Sequence, residues 1–236
     1  MTSSASRGDL RSPRNCCGGS GDPRSPSPGE MAGVTTLVRP PPSVVRFGAL
    51  ENSMTVDLSN YDIRGYHPGR GPVVRLFWYV CNAVLFASWL LPVSGPKRRL
   101  LRLFGASVGA GVVIKPRVNI KYPWHLRIGK HCWIGEGSWI DNLVDVTMGD
   151  NVCISQGAYL LTGNHDYKDP HFGLMRSPIT LDDGSWVGAF AVVCPGAHLA
   201  RNSIVTVGSV LRGETAPDGI YSGNPATRVR EREIVG

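Results

Sequence analysis

From residue 108 onward, large aliphatic side chains return at every sixth position. Three blocks carry the beat: Val108, Ile114, Ile120; then Ile128, Ile134, Ile140, resuming after a two-residue slip at Met148, Ile154, Leu160; then Leu181, Val187, Val193, Leu199, Val205, Leu211. Glycine often follows, at Gly109, Gly129, Gly135, Gly149 and Gly188. Four positions after the aliphatic sits a small or β-branched residue, as at Val112, Val118, Cys132, Ser138, Val144, Val152, Ala158, Ser185 and Ala191. A period of six fits neither the α-helical turn nor the two-residue alternation of a strand. It fits an all-β solenoid whose short flat faces each give one large inward side chain and a small one near the next corner. Stacked coils then bury a continuous aliphatic column.

The beat fails between Leu160 and Leu181. TGNHDYKDPHFGLMRSPIT (162–180) is polar and contains proline, and reads as a loop thrown out from a corner of a rigid scaffold, a favoured place for chemistry. Upstream, LFWYVCNAVLFASWLLPV (76–93) is almost wholly apolar and is followed by the basic KRRLLR (97–102). Asn82 and Ser88 interrupt this run and Pro92 ends it. Three readings stay open: a buried helix capping the solenoid, a helix lying against a membrane surface with residues 76–102 in contact, and a span. The chain therefore divides into a low-complexity tail (1–53), an N-terminal segment with an apolar helix (54–107) and the solenoid domain with a C-terminal extension (108–236). The Ser-, Gly-, Pro- and Arg-rich tail buries too little apolar surface to fold and is expected to be disordered, so Met1, Met31 or Met54 is the candidate start.

Composition adds little to the periodicity. Apolar residues make up 42%, as in an ordinary soluble protein, while 29 Gly and 18 Pro fit a turn-rich fold. A net charge of +7 points to an anionic partner without choosing among nucleic acid, lipid headgroups and a phosphorylated cofactor. The basic residues are scattered and lack aromatic interleaving, which argues against nucleic acid. Cys16, Cys17, Cys81, Cys132, Cys153 and Cys194 show neither metal-type pairing nor dense disulfide spacing, and are expected to be reduced thiols of a cytoplasmic protein. The first 50 residues hold no apolar core segment of a secretory signal.

His165, at the root of the interrupting loop, is a candidate base, or a solvated loop histidine satisfied by backbone contacts. A neutral imidazole can take the proton of an attacking group and return it to a leaving group. Asp141 and Asn142, on the preceding coil, could face the same crevice and hydrogen-bond a substrate, or could serve only as corner residues.

The stretch WIDNLVDVTMGDNVCISQGAYLLTGNHDYKDPHF (139–172), with DLSNYDIRGYHPGRG (57–71) and LLRLFGASVGAGVVIKPRVNIKYPW (100–124), resembles the hexapeptide-repeat acyltransferases, in their colanic-acid/exopolysaccharide O-acetyltransferase branch. The resemblance covers residues 55–232. It implies a left-handed parallel β-helix with three hexads to a coil, hence about five coils between residues 108 and 213, and a homotrimer with sites between subunits. It implies acetyl-CoA as co-substrate with no metal required, and a carbohydrate acceptor such as a lipid-linked exopolysaccharide intermediate, handled at the inner face of the membrane. His165, within Gly163-Asn164-His165-Asp166-Tyr167, would be the base. Asp141, Asn142, Asn164, Asp166 and Tyr167 would bind the acceptor or order the loop, with His171 and Phe172 as further walls. Trp186, Ala189, Val207 and Gly208 would line the CoA groove, and Arg212, Arg228 and Arg230 would meet its phosphates. Gly223-Asn224-Pro225-Ala226 marks the end of the family's helix. Two alternatives use the same solenoid: a zinc lyase of the γ-carbonic-anhydrase kind, which needs three converging histidines, and a non-catalytic trimeric scaffold.

Overall fold

The computed structural model describes residues 54–235; the reading of residues 1–53 as a disordered tail, with Met1 or Met31 as a start, lies outside the described residues. From residue 107 the chain winds as a parallel β-helix with three faces. The first face stacks β1 (Ser107–Val108), β4 (Leu126–Ile128), β7 (Val146–Met148), β12 (Ile179–Leu181) and β15 (His198–Leu199). The second stacks β2 (Val113–Ile114), β5 (Trp133–Ile134), β8 (Cys153–Ile154), β13 (Trp186–Val187), β16 (Ile204–Val205) and β18 (Gly219–Gly223), closed by the antiparallel β19 (Ala226–Glu231). The third stacks β3 (Asn119–Ile120), β6 (Trp139–Asp141), β9 (Tyr159–Leu161), β14 (Val192–Val193) and β17 (Val210–Leu211). Five complete coils result, with β18 opening a sixth.

The periodic aliphatics form the axis of this prism. Ile114, Ile134, Ile154, Val187 and Val205 stand in register up the second face, and each is buried to within 1%. Full burial of one such side chain contributes roughly 1.5–3 kcal/mol, so the column is the main source of cohesion. The small positions sit inside too, and Ser138 spends its hydroxyl on the Gly135 and Ser155 carbonyls. Val144 departs from expectation. It falls in the slip and is only half-buried, and Val146 takes the interior place. The glycines after the aliphatics lie under the next coil: a Cβ on Gly135 would stand 2.6 Å from the Gln156 amide nitrogen. At two corners of the coils, those leaving the first and second faces, the third residue after the inward aliphatic takes positive φ, as at Gly111, Arg117, His131, Gly137, Asn151 and Gly157.

A solenoid's first coil exposes a row of unpaired backbone groups. Here the apolar segment and the basic cluster cover them. The segment is helical over α1 (Pro72–Cys81), passes through a π-helical turn at Asn82–Phe86, bends, and resumes as α2 (Ser94–Leu103). Buried Trp78 donates its indole N–H to the Ile120 carbonyl at 2.9 Å, and Asn82 Oδ1 accepts the Ile120 amide. From α2, Lys97 donates to the Lys115 carbonyl, Arg98 to that of Val112 and Arg102 to that of Val108. Burial pushes the Lys97 ammonium below its ordinary pKa. The capping reading thus describes these helices, and among the described residues no helix is long and apolar enough to cross a membrane. Three of the four basic side chains expected near headgroups are engaged with backbone instead.

Candidate active site

The cleft of interest opens where the chain passes from the third face to the first. Two of these passages run eight residues between inward aliphatics (Ile120 to Ile128, Ile140 to Met148), and the next, Leu160 to Leu181, carries the long loop. Extra residues pile up along one edge of the prism. The loop folds back as a hairpin of β10 (Gly163–His165) and β11 (Leu174–Arg176), pairing His165 with Leu174. A Cβ on Gly163 would stand 2.5 Å from Leu143 Cδ1, so glycine lets the hairpin lie close on the coil below.

The N-terminal strap roofs the hairpin. Asp57 N–H donates to the Pro170 carbonyl, Asp62 N–H to that of His171, and Leu174 N–H to that of Asp62. Arg64 clamps Asp169 at 2.8 Å and Asp166 at 3.1 Å. The Arg64 guanidinium, donating to it, holds the Asp169 carboxyl down at about 2. Arg64 crosses over Gly173, where any Cβ would collide with the guanidinium.

Within this frame His165 is half-buried at the cleft wall. Its ring stacks on Phe172 (centroids 4.4 Å apart, planes 9° from parallel), with Tyr61 at 5.6 Å. Its Nδ1 lies 3.2 Å from the Phe172 carbonyl oxygen. A carbonyl only accepts, so Nδ1 carries a proton, and in the neutral ring the lone pair lies on Nε2. The cleft, about 300 Å³, is lined by His165 with Tyr61, Tyr66, Lys121, Tyr122 and Asp141. Lys121 Nζ lies 2.8 Å from Asp141 Oδ1. The Tyr66 hydroxyl donates to the Leu143 carbonyl, and burial pushes its phenol pKa well up.

The residues expected to bind the acceptor separate in space. Asp141 shares the cleft with His165. Asn142 does not open onto it: fully buried, it accepts the Tyr122 amide at 3.0 Å and donates to the Tyr122 carbonyl at 2.6 Å. It therefore reaches the cleft only through Tyr122. Asn164 is exposed and accepts the His165 amide, and Asp166 is taken up by Arg64. Tyr167 is 75% exposed, beside Lys168. His171 is exposed beside Asp169. Tyr61, Arg64, Tyr66, Lys121 and Tyr122 had no role in the sequence reading. Their signal was the lengthened passages at Tyr122 and Asn142, stacked below the loop on one edge.

The residues expected to bind CoA lie elsewhere on the prism. Trp186 is on the second face, its indole N–H donating to Ser155 Oγ. Ala189, Val207 and Gly208 form the corner that leaves that face, and Val207 is 69% exposed. Arg212, Arg228 and Arg230 are exposed near the C-terminal end, with Arg228 3.3 Å from Glu231. Within one protomer this corner and the His165 cleft occupy different edges. For a zinc site, no group of three His, Cys, Asp or Glu among the described residues could hold an ion. His125 pairs instead with Asp145 and His198 with Asp182. Cys81, Cys132, Cys153 and Cys194 are free thiols.

No family model matches the chain. It is 36% identical over 178 residues to an Escherichia coli K12 protein provisionally named colanic acid biosynthesis acetyltransferase WcaF, covering 75% of this chain and 97% of that one. It is 28% identical over 138 residues to the galactoside O-acetyltransferase of the same organism, covering 57% and 68%. Among solved structures, a galactoside acetyltransferase in complex with coenzyme A superposes with a TM-score of 0.61 at 25% identity, covering 69% and 82%. A Vibrio cholerae hexapeptide-repeat acetyltransferase complexed with acetyl coenzyme A superposes with a TM-score of 0.62 at 20% identity, covering 69% and 88%. With five coils of in-register hexads, an intact loop and this extent of likeness, the chain belongs to the left-handed β-helix, hexapeptide-repeat acetyltransferase family, in its colanic-acid biosynthesis branch.

Proposed function

We propose that the protein transfers an acetyl group from acetyl-CoA to a hydroxyl of a carbohydrate, with His165 as general base. The observation that carries this reading is the Nδ1 contact to the Phe172 carbonyl, which leaves a basic Nε2 beside a cleft of hydrogen-bonding groups. In the reaction, Nε2 takes the proton of the acceptor hydroxyl as its oxygen attacks the thioester carbonyl carbon. A backbone N–H at the neighbouring corner stabilises the oxyanion. The C–S bond then breaks, and the imidazolium returns the proton to the thiolate, giving the O-acetyl ester and free thiol. Asp141, Lys121 and Tyr122 orient the acceptor. Phe172 holds the imidazole plane and its tautomer.

The site is completed by a second copy in a homotrimer. Support comes from the separation of the His165 cleft and the Trp186–Val207 corner onto different edges, so that one protomer's base meets a thioester held along its neighbour's coils. The coenzyme complexes of the similar structures make the same chemistry the expected one here. Thiol release from acetyl-CoA, measured against a panel of free and lipid-linked sugars with mass spectrometry of the product, tests the reading. A mass increase of one acetyl group on a sugar, matched to thiol released, is expected. Thiol release without any acetylated carbohydrate across the panel would contradict it.

A further inference from the structure

The helices that cap the first coil leave an unusual outer surface. On α1 the residues Val73, Leu76, Phe77 and Val80, with Val84 in the following turn, recur at helical spacing and form one stripe. An amphipathic helix normally turns such a stripe inward. Here Trp78 and Asn82 face the coil, while Val73 is 76% and Phe77 67% exposed. The bend beyond adds exposed Trp89 and Leu90, and the Arg117 guanidinium lies 5.9 Å from the Trp89 ring.

The chain segment that builds this end is basic, although Arg64 is paired with Asp166 and Asp169 and Lys121 with Asp141. Between Ile63 and Gly135 the sequence holds 12 Lys and Arg and no Asp or Glu, so with +7 overall the remainder carries −5. Lys97, Arg98 and Arg102 are spent on backbone carbonyls, but Arg70, Arg99, Lys115 and Arg117 stay exposed. A second copy seated on this end through the same patch would bring two sets of these exposed cations together. An anionic bilayer offers both an apolar interior for the stripe and counter-charge for the arginines, with Trp89 at the level where indoles favour the interface.

The His165 cleft opens near this end. Lys121 and Tyr122 line it and also line an adjoining groove of about 380 Å³ walled by Arg75, Leu76, Trp78, Tyr79 and Trp139. We infer that the outward stripe of α1 and its basic surround dock the protein on an anionic membrane surface, presenting the cleft to acceptors held there. The docking stands on the stripe and the charge; the part about acceptors rests on the proposed acetyl transfer.

The test is co-flotation of the full chain with vesicles of phosphatidylcholine, with and without about a quarter phosphatidylglycerol. Binding should be at least about tenfold stronger on the anionic vesicles and should weaken with salt. It should fall by at least about tenfold in F77E/V80E, and in R70Q/R99Q, which leaves the apolar stripe intact should the first variant not fold. Thiol release to a soluble sugar should persist in both variants, which separates failure of docking from failure of the proposed chemistry. Absent binding to anionic vesicles, undiminished binding of both variants, or a fall in oligomeric mass of F77E/V80E with no vesicle binding by the parent chain would each overturn the inference.

Discussion

His165 and Asn142 show how similar polar residues, one coil apart, take different roles. His165 keeps one nitrogen free because a carbonyl can use only the other. Asn142 keeps none, since both its amide ends are tied to the Tyr122 backbone in a buried place. Asn142→Ala leaves that amide and carbonyl without partners and is expected to cost roughly 1–3 kcal/mol, read as a lowered thermal unfolding midpoint. Activity lost with it should be regained in part by Asn142→Asp, whose carboxylate still accepts the Tyr122 N–H. The motif singled out His165 as the candidate base, but its tautomer was not legible there. The Phe172 carbonyl is positioned by a hairpin that no local pattern announces. Asp166, the next residue after the histidine, is drawn off by Arg64.

At the scale of elements, the aliphatic beat made the strands and their faces readable, because each inward position is a burial demand repeated in register. The fate of the charged cluster at 97–102 was unreadable for the opposite reason. Its partners are the open carbonyls of coil one, which exist only once the solenoid has formed. The strap and loop likewise depend on a long-range clamp, Arg64 to Asp166 and Asp169. Arg64→Met should release the loop, seen as faster proteolytic cleavage within residues 162–178 and a fall in kcat larger than any change in acetyl-CoA affinity. Acid should do the same in the parent chain. The Asp169 carboxyl is lowered from 3.8 to about 2, so its contribution is complete above pH 3.8 and is lost as pH falls to about 2. Proteolysis followed between pH 5 and 2 with an acid-stable protease checks the sign; loosening as the pH rises would be the wrong direction.

At the scale of the whole described unit, residues 54–235 form a prism with different chemistry at different edges: the proposed base and polar cleft on one, an apolar corner on another, a basic cap at the first coil. This arrangement fits the proposed catalytic trimer, and mixing subunits tests it. His165→Ala and Val207→Glu chains should each be nearly inactive alone. Refolded or co-expressed together, they should regain activity through interfaces that pair an intact His165 cleft with an intact Val207 corner. Mixed assemblies as inactive as either parent would place both groups in one protomer's site.

In the proposed reaction the Nε2 lone pair of His165 removes the acceptor proton, and a comparison of His165→Ala with the parent chain tests that step directly. Acetyl-CoA-dependent thiol release in the presence of the acceptor should fall by about 10²–10⁴-fold, while oligomeric mass and acetyl-CoA affinity stay unchanged. A variant that releases thiol and acetylates sugar at the parental rate would contradict the account.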